Sequence, residues 1–210
     1  RANDEDSTYI VVNGKEVGSH QGAFGGHAEG NFVFSSDGQH LAYVVHNPDE
    51  HGKSYLLVRD GKISEEKYRF ISSMAFSPDG ERFAFTVSLI NGSMGGYMVI
   101  DDKEGERFSG GVGHAIFSPD SRQVVYVAWT YELNGPQQMF VVVDGKKGKV
   151  YEGNVHSQTF SPDGKRLAYI VVTRSHPTHI TDSFVVLDGN ESKGYIAIPG
   201  NPVFSSDSGH

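Results

Sequence analysis

The sequence predicts an all-β protein, a β-propeller of four-stranded antiparallel blades. Three observations carry this prediction. Phe-Ser-Pro-Asp-Gly, or a near variant of it, begins at Phe34, Phe76, Phe117, Phe160 and Phe204, in steps of 42, 41, 43 and 44 residues. A period of about 40 to 45 residues is that of a propeller blade. A second phrase keeps register with the first: Val11-Val-Asn-Gly-Lys15, Val58-Arg-Asp-Gly-Lys62, Val99-Ile-Asp-Asp-Lys103, Val142-Val-Asp-Gly-Lys146 and Val186-Leu-Asp-Gly-Asn190. Finally, no stretch of about 10 to 12 residues shows helical periodicity, so strands must carry the fold.

Each strand of the unit follows from these phrases. Strand A ends at the Phe. Ser-Pro-Asp-Gly then makes the A–B turn, because Pro presets φ, Asp caps the turn and Gly relieves strain at its end. Turn chemistry thereby explains the five recurring Asp residues without a calcium ring. Strand B follows as Leu41–Val45, Phe83–Val87, Val124–Ala128 and Leu167–Val171. Strand C is the β-branched and aromatic run before the second phrase, as in Phe140–Val143 and Phe184–Leu187. Asn-Gly and Asp-Gly between such runs are hairpin signals, since both central positions accept positive φ. Strand D is short, as in Lys149–Tyr151.

Counting units divides the chain. Residues 1–7 read as a polar tail and 8–210 as one propeller domain. Full blades are expected at about 31–71, 72–112, 113–155 and 156–199. The chain starts in a strand C (Tyr9–Val12) and ends in a strand A (Pro202–Asp207), so 8–20 plus 200–210 are expected to make a fifth blade that lacks strand B. Spacing agrees: from Phe to turn Asp is 26, 25, 27 and 28 residues in the full units, but 19 when the two ends are joined. The expectation is a five-bladed ring, one blade incomplete, closed by the N- and C-terminal strands. Two alternatives stand beside it. Sequence beyond His210 supplies strand B, or another chain fills the open edge by self-association.

Composition removes several function classes. A chain of 210 residues, 37% hydrophobic, can bury a core. Net charge is −8 and no run of Lys or Arg stands out, which argues against nucleic acid. No apolar stretch approaches the length of a membrane span. With no cysteines there is no disulfide, thiolate zinc site or Cys nucleophile. Asn91-Gly-Ser-Met-Gly95 lacks the leading Gly of a nucleophile elbow. No catalytic residue, cofactor or metal is assigned.

Two sets of residues are candidates for binding. In a propeller the A–B and C–D turns share one face, and the B–C and D–A connections share the other. The first set repeats almost unchanged here, whereas the second differs in every unit, and function usually sits on variable loops over a rigid scaffold. Of ten His, eight fall on that variable face: His20, His27, His46, His51, His114, His156, His176 and His179. The partner-binding candidates there are Phe24, His46, His51, Trp129, Tyr131, His176 and His179, with the aromatics as exposed anchors. The second set stands three residues before each Phe: Asn31, Ser73, His114, Ser157 and Asn201. Strand A is innermost, so these five polar residues are expected to ring the mouth of the central channel and to bind ligand.

Phe-Ser-Pro-Asp-Gly followed by an Ala-Tyr strand resembles the WD40-like, Pro-Asp type repeat of TolB-like proteins. The resemblance runs from about Tyr9 to Asp207, with Ser36 and Ser206 replacing the motif Pro in two units. It implies a non-enzymatic module, periplasmic or extracellular, that binds a protein partner or a small extracellular ligand. Two alternatives rank below it: the non-catalytic propeller of a prolyl-oligopeptidase-like hydrolase, which the same repeat also implies, and a structural subunit assembling through the open blade.

Overall fold

A computed structural model describes residues 7–21, 32–46, 55–66, 68–89, 95–132, 135–174 and 181–209. Every helix or strand among them is a β-strand. An N-terminal hairpin, β1 (Ser7–Val12) and β2 (Lys15–Gln21), comes first. Unit one holds β3 (Phe32–Phe34), β4 (Leu41–His46), β5 (Tyr55–Arg59) and β6 (Lys62–Ile63). Unit two holds β7 (Ile71–Phe76), β8 (Phe83–Ser88), β9 (Gly96–Ile100) and β10 (Lys103–Glu104). Unit three holds β11 (Gly111–Val112), β12 (Ile116–Phe117), β13 (Val124–Tyr131), β14 (Gln137–Val143) and β15 (Lys146–Lys147). Then come β16 (Tyr151–Phe160), β17 (Leu167–Arg174), β18 (Thr181–Leu187) and β19 (Asn190–Glu191).

Within each unit the strands pair antiparallel in the order A-B-C-D. Two boundaries shift against expectation. Gly111 and Val112 pair with Trp129 and Ala128, so unit three begins before residue 113. Tyr151 and Glu152 close unit three on β14, and from Gly153 the same strand is already strand A of unit four. Elsewhere strand D is in two pieces, a short hairpin arm and an isolated bridge at Tyr68, Phe108 or Tyr195. Segment 201–205 lies in no ladder, and β1 pairs with β2. No described pairing joins these two ends, although the clasped fifth blade expected one.

The C–D turns need two consecutive residues at positive φ, and they have them. Asp60 and Gly61 sit at 51° and 76°, Asp144 and Gly145 at 47° and 77°, Asp188 and Gly189 at 51° and 82°. In unit two Asp102 takes the Gly position at 63°, which Asp tolerates better than most residues.

Packing follows from the period of two along each B and C strand. Val124, Tyr126 and Ala128 of β13 share a core with Met98 and Phe108 of unit two. Val125 and Val127, on the other face, share one with Val155, Tyr169 and Val171 of unit four. Ala42, Val44 and Leu57 meet Phe83 and Phe85 in the same way, and Ile10 of the hairpin covers Tyr43, Val45 and Val58. Both faces of a central blade are thus buried. Each fully buried Val, Phe or Tyr contributes about 1.5–3 kcal/mol of hydrophobic stabilisation, and part of that burial is between units.

The turns are tied as well. In every A–B turn the Ser hydroxyl donates to the Asp two residues on: Ser35 to Asp37 at 2.5 Å, Ser77 to Asp79 at 2.5 Å, Ser118 to Asp120 at 2.6 Å, Ser161 to Asp163 at 2.6 Å and Ser205 to Asp207 at 2.5 Å. Neighbouring turns also touch. The Ser36 hydroxyl donates to the Pro78 carbonyl. The amides of Asp79 and Asp163 donate to the hydroxyls of Ser121 and Ser208, each at 3.0 Å. A further clamp recurs at the residue before strand B. Arg82 bonds Asp101 at 2.9 Å, lies 5.4 Å over the Phe117 ring and donates to the Arg122 carbonyl at 2.8 Å. Arg166 likewise bonds Asp188 at 2.9 Å, lies 5.7 Å over Phe204 and reaches the Gly209 carbonyl at 3.3 Å.

These turns set the response to acid. The serine hydroxyl is the main cause that holds Asp37, Asp79, Asp120 and Asp207 below the ordinary 3.8, and Asp163 at about 2. A carboxylate whose pKa is lower folded than unfolded stabilises the fold fully above its unfolded pKa. That contribution is lost as pH falls through the folded value. The melting temperature is therefore expected to hold down to about pH 4 and to fall between there and about pH 2. Calorimetric scans of the wild type and of Ser77→Ala/Ser161→Ala check this. The variant should lose stability mainly above that window and show a flatter acid limb, and equal limbs would refute the assignment.

Candidate functional site

The A strands lie side by side, with β3 and β12 both in contact with β7. Four of the five polar residues expected at the channel mouth are described, and they differ in kind. Ser73 sits at a register shift in β7, half-buried. His114 is exposed in the break between β11 and β12. Ser157 lies in a bulge of β16 at φ 59°, a left-handed conformation costly for a residue with a Cβ. Its hydroxyl donates to Asn201 Oδ1 at 2.7 Å, across the repeat, and lies 2.9 Å from His156 Nδ1. The structure thus brings Ser157 and Asn201 together and adds His156, which the spacing argument had not placed in this set. The serine hydroxyl is thus shared between the Asn201 amide oxygen and the His156 ring. The Asn201 amide is exposed beside them. Asn31 lies outside the described residues.

On the variable face, the connection from unit two to unit three is braced against the end of β13. Ser109 Oγ accepts from the Tyr131 amide at 3.0 Å and donates to its carbonyl at 3.4 Å. The Gly110 amide donates to the Trp129 carbonyl at 3.0 Å. A Cβ on Gly110 would stand 2.1 Å from Trp129 Cδ1, so the indole lies directly against this glycine. Gly111, at φ 123°, continues the shelf 3.1 Å beneath the ring on the same measure. Trp129 is therefore not the exposed anchor expected from its loop position. It is half-buried, packed on Gly110 and Gly111 and on the core between units three and four. Tyr131, 43% exposed, is the aromatic of this set that stands at the rim among the described residues. His46 ends β4, its backbone paired with Tyr55. Phe24, His51, His176 and His179 lie outside the described residues.

Sequence reasoning missed the Gly110–Gly111 shelf and the clamps at Arg82 and Arg166. Paired glycines seven and six residues before the Phe of unit three were a readable signal for the first. The clamps join residues about forty apart, and only the fold reveals them. Among the described residues no group of three or more His, Asp or Glu has the geometry to hold a metal, and no helix is long and apolar enough to cross a membrane.

No family model matches the chain, and no curated protein does. Solved structures do. The tricorn protease superposes with a TM-score of 0.53 at 12% identity, over 82% of this chain and 18% of its own. That likeness joins the succession of antiparallel A-B-C-D units whose faces bury one another. The fold is a β-propeller. Lower similarity is found to the β-propeller domain of the Trilobed protease from Pyrococcus furiosus, with a TM-score of 0.47 at 12% identity, covering 78% of this chain and 56% of that one. TolB from Acinetobacter baumannii gives 0.38 at 20% identity, covering 77% and 41%. The propeller spans 56% or less of each of these chains.

Proposed function

We propose that this propeller is a non-enzymatic module that binds a protein or an extracellular ligand through its B–C and D–A face and its polar inner strands. The braced ledge carries the reading. Ser109 grips Tyr131 through both backbone groups, and Trp129 is seated on glycine, so a 43%-exposed tyrosine is held rigidly on the face where the units diverge. A rigid aromatic with a polar tip loses little entropy when a partner covers it. The Ser157–Asn201 pair supplies a polar group of the kind that orients a ligand. The TolB-like phrase supports a periplasmic or extracellular setting, and a net charge of −8 supports a partner that is not nucleic acid.

Site-specific photo-cross-linking tests the reading. A photoreactive residue at Tyr131 is expected to capture a discrete partner from periplasmic or secreted extracts. The same residue at Lys146, on the opposite face, is expected to capture none. Equal capture from both positions would sink the face assignment.

A further inference from the structure

Arg82 and Arg166 show what the slot between neighbouring A–B turns accepts. In each case a guanidinium bonds the C–D turn Asp of its own unit, lies over the Phe of the next unit and donates to a backbone carbonyl of the next turn. Between units one and two the same slot lacks its arginine. His40 stands there, its Nδ1 2.8 Å from Asp60 Oδ2 and its ring 5.9 Å from that of Phe76. An imidazole is several atoms shorter than an arginine side chain. Beyond it a cleft of about 280 Å³ opens, lined by Phe76, Gly80 and Glu81 as well as His40 and Asp60.

A second departure falls at this same junction. The residue after the turn Gly or Ser is Arg122 in unit three and Lys165 in unit four, but Glu81 in unit two. Glu81 is exposed and has no ion-pair partner among the described residues. At the junction between units three and four, where Gln123 replaces the arginine, Lys165 supplies a cation and not a carboxylate. Arg59, which also borders the cleft, is already spoken for: it bonds Asp102 at 2.8 Å and lies 5.6 Å over Phe83. So one junction alone pairs an aromatic floor and turn carbonyls with an unpaired carboxylate and no arginine of its own.

We infer that the cleft between units one and two is a guanidinium-binding site, which takes in trans the arginine side chain that units two and four supply in cis. Phe76 gives the face for cation–π stacking, the Gly80 and Glu81 carbonyls accept the N–H groups, and the Glu81 carboxylate supplies the charge. A lysine ammonium lacks the planar fork and fits the slot less well. The site lies on the turn face that repeats, opposite the partner-binding face proposed above, and does not depend on it.

The test is a titration of the full chain at constant pH, read by the backbone amide resonances of Phe76 and Gly80 in NMR. The probes are N-acetyl-arginine amide, N-acetyl-lysine amide and free arginine. Saturable shifts are expected with the capped arginine, at least about tenfold tighter than with the capped lysine. Tighter binding of the capped form assigns the natural ligand to a polypeptide, and tighter binding of free arginine assigns it to the amino acid. His40→Arg, which rebuilds the clamp of Arg82, is expected to abolish binding and to raise the melting temperature. Glu81→Arg, which copies Arg122, is expected to weaken binding about tenfold or more without filling the cleft. Equal affinity for the two capped amides, or arginine binding unchanged in both variants, overturns the inference.

Discussion

Replacing Phe140 by Ala is expected to cost about 3–5 kcal/mol. Phe140 is 3% exposed and meets Phe108 edge to face, the ring centroids 5.4 Å apart. Lys147 Nζ caps both rings, at 5.5 and 5.1 Å. Phe108 belongs to unit two and Phe140 to unit three, so the deleted ring leaves a void at the contact between units. Neighbours pinned in their own sheets cannot collapse into it, which places the cost at the upper end for such a change. Domain stabilities run to about 5–15 kcal/mol, so the variant is brought near unfolding. Urea denaturation followed by far-UV circular dichroism measures the loss. A second expected result separates this interface from an ordinary core: the unfolding transition broadens or splits relative to the wild type, because the coupling between units is what is weakened. Phe140→Leu should cost under about 2 kcal/mol. A loss of less than about 1 kcal/mol for the alanine variant would show that the interface does not hold the units together.

Gly110→Ala is expected to cost about 3 kcal/mol, at the high end for overpacking. The new methyl group would stand 2.1 Å from Trp129 Cδ1 and 2.7 Å from the Trp129 carbonyl. Either the indole leaves its shelf or the hydrogen bond from the Gly110 amide to the Trp129 carbonyl opens. The chain has a single tryptophan, so fluorescence reports the event directly. Emission is expected to shift to the red as the half-buried indole becomes hydrated, with a lowered melting temperature. In a Trp129→Ala background the same substitution should cost less, since only the carbonyl contact remains, and this coupling isolates the ring's share. An unshifted emission maximum in Gly110→Ala would mean that the shelf does not seat the indole.

The expectations that held rest on local chemistry. Asp-Gly turns were readable because two consecutive positive φ values suit few other residue pairs, and the structure has them at Asp60–Gly61, Asp144–Gly145 and Asp188–Gly189. Strand B was readable because alternate residues in runs such as Val124–Ala128 serve two cores. Strand D was less so. Its bridge residues Tyr68, Phe108 and Tyr195 stand apart from the hairpin arm, and nothing local marks the break. Within the candidate site the spacing before each Phe grouped Ser157 with Asn201, and a hydrogen bond joins them. The same spacing was silent on the bulge that turns Ser157 to φ 59° and sets its hydroxyl near His156. Trp129 was misjudged because loop position indicates exposure, whereas its burial depends on glycines in the preceding connection.

The hydroxyls that link successive turns also specify an order. Ser36 donates forward to the carbonyl of Pro78, whereas Ser121 and Ser208 accept from the Asp amides of the units before them. Exchanging the turn of unit one for that of unit three would therefore leave the Pro78 carbonyl and the Asp79 amide without the hydroxyls of Ser36 and Ser121. Repeats that look interchangeable by their Phe-Ser-Pro-Asp phrase are in this respect numbered. A chain assembled from shuffled copies would keep its strands and lose the sequence of handshakes that tells each unit which neighbour it follows.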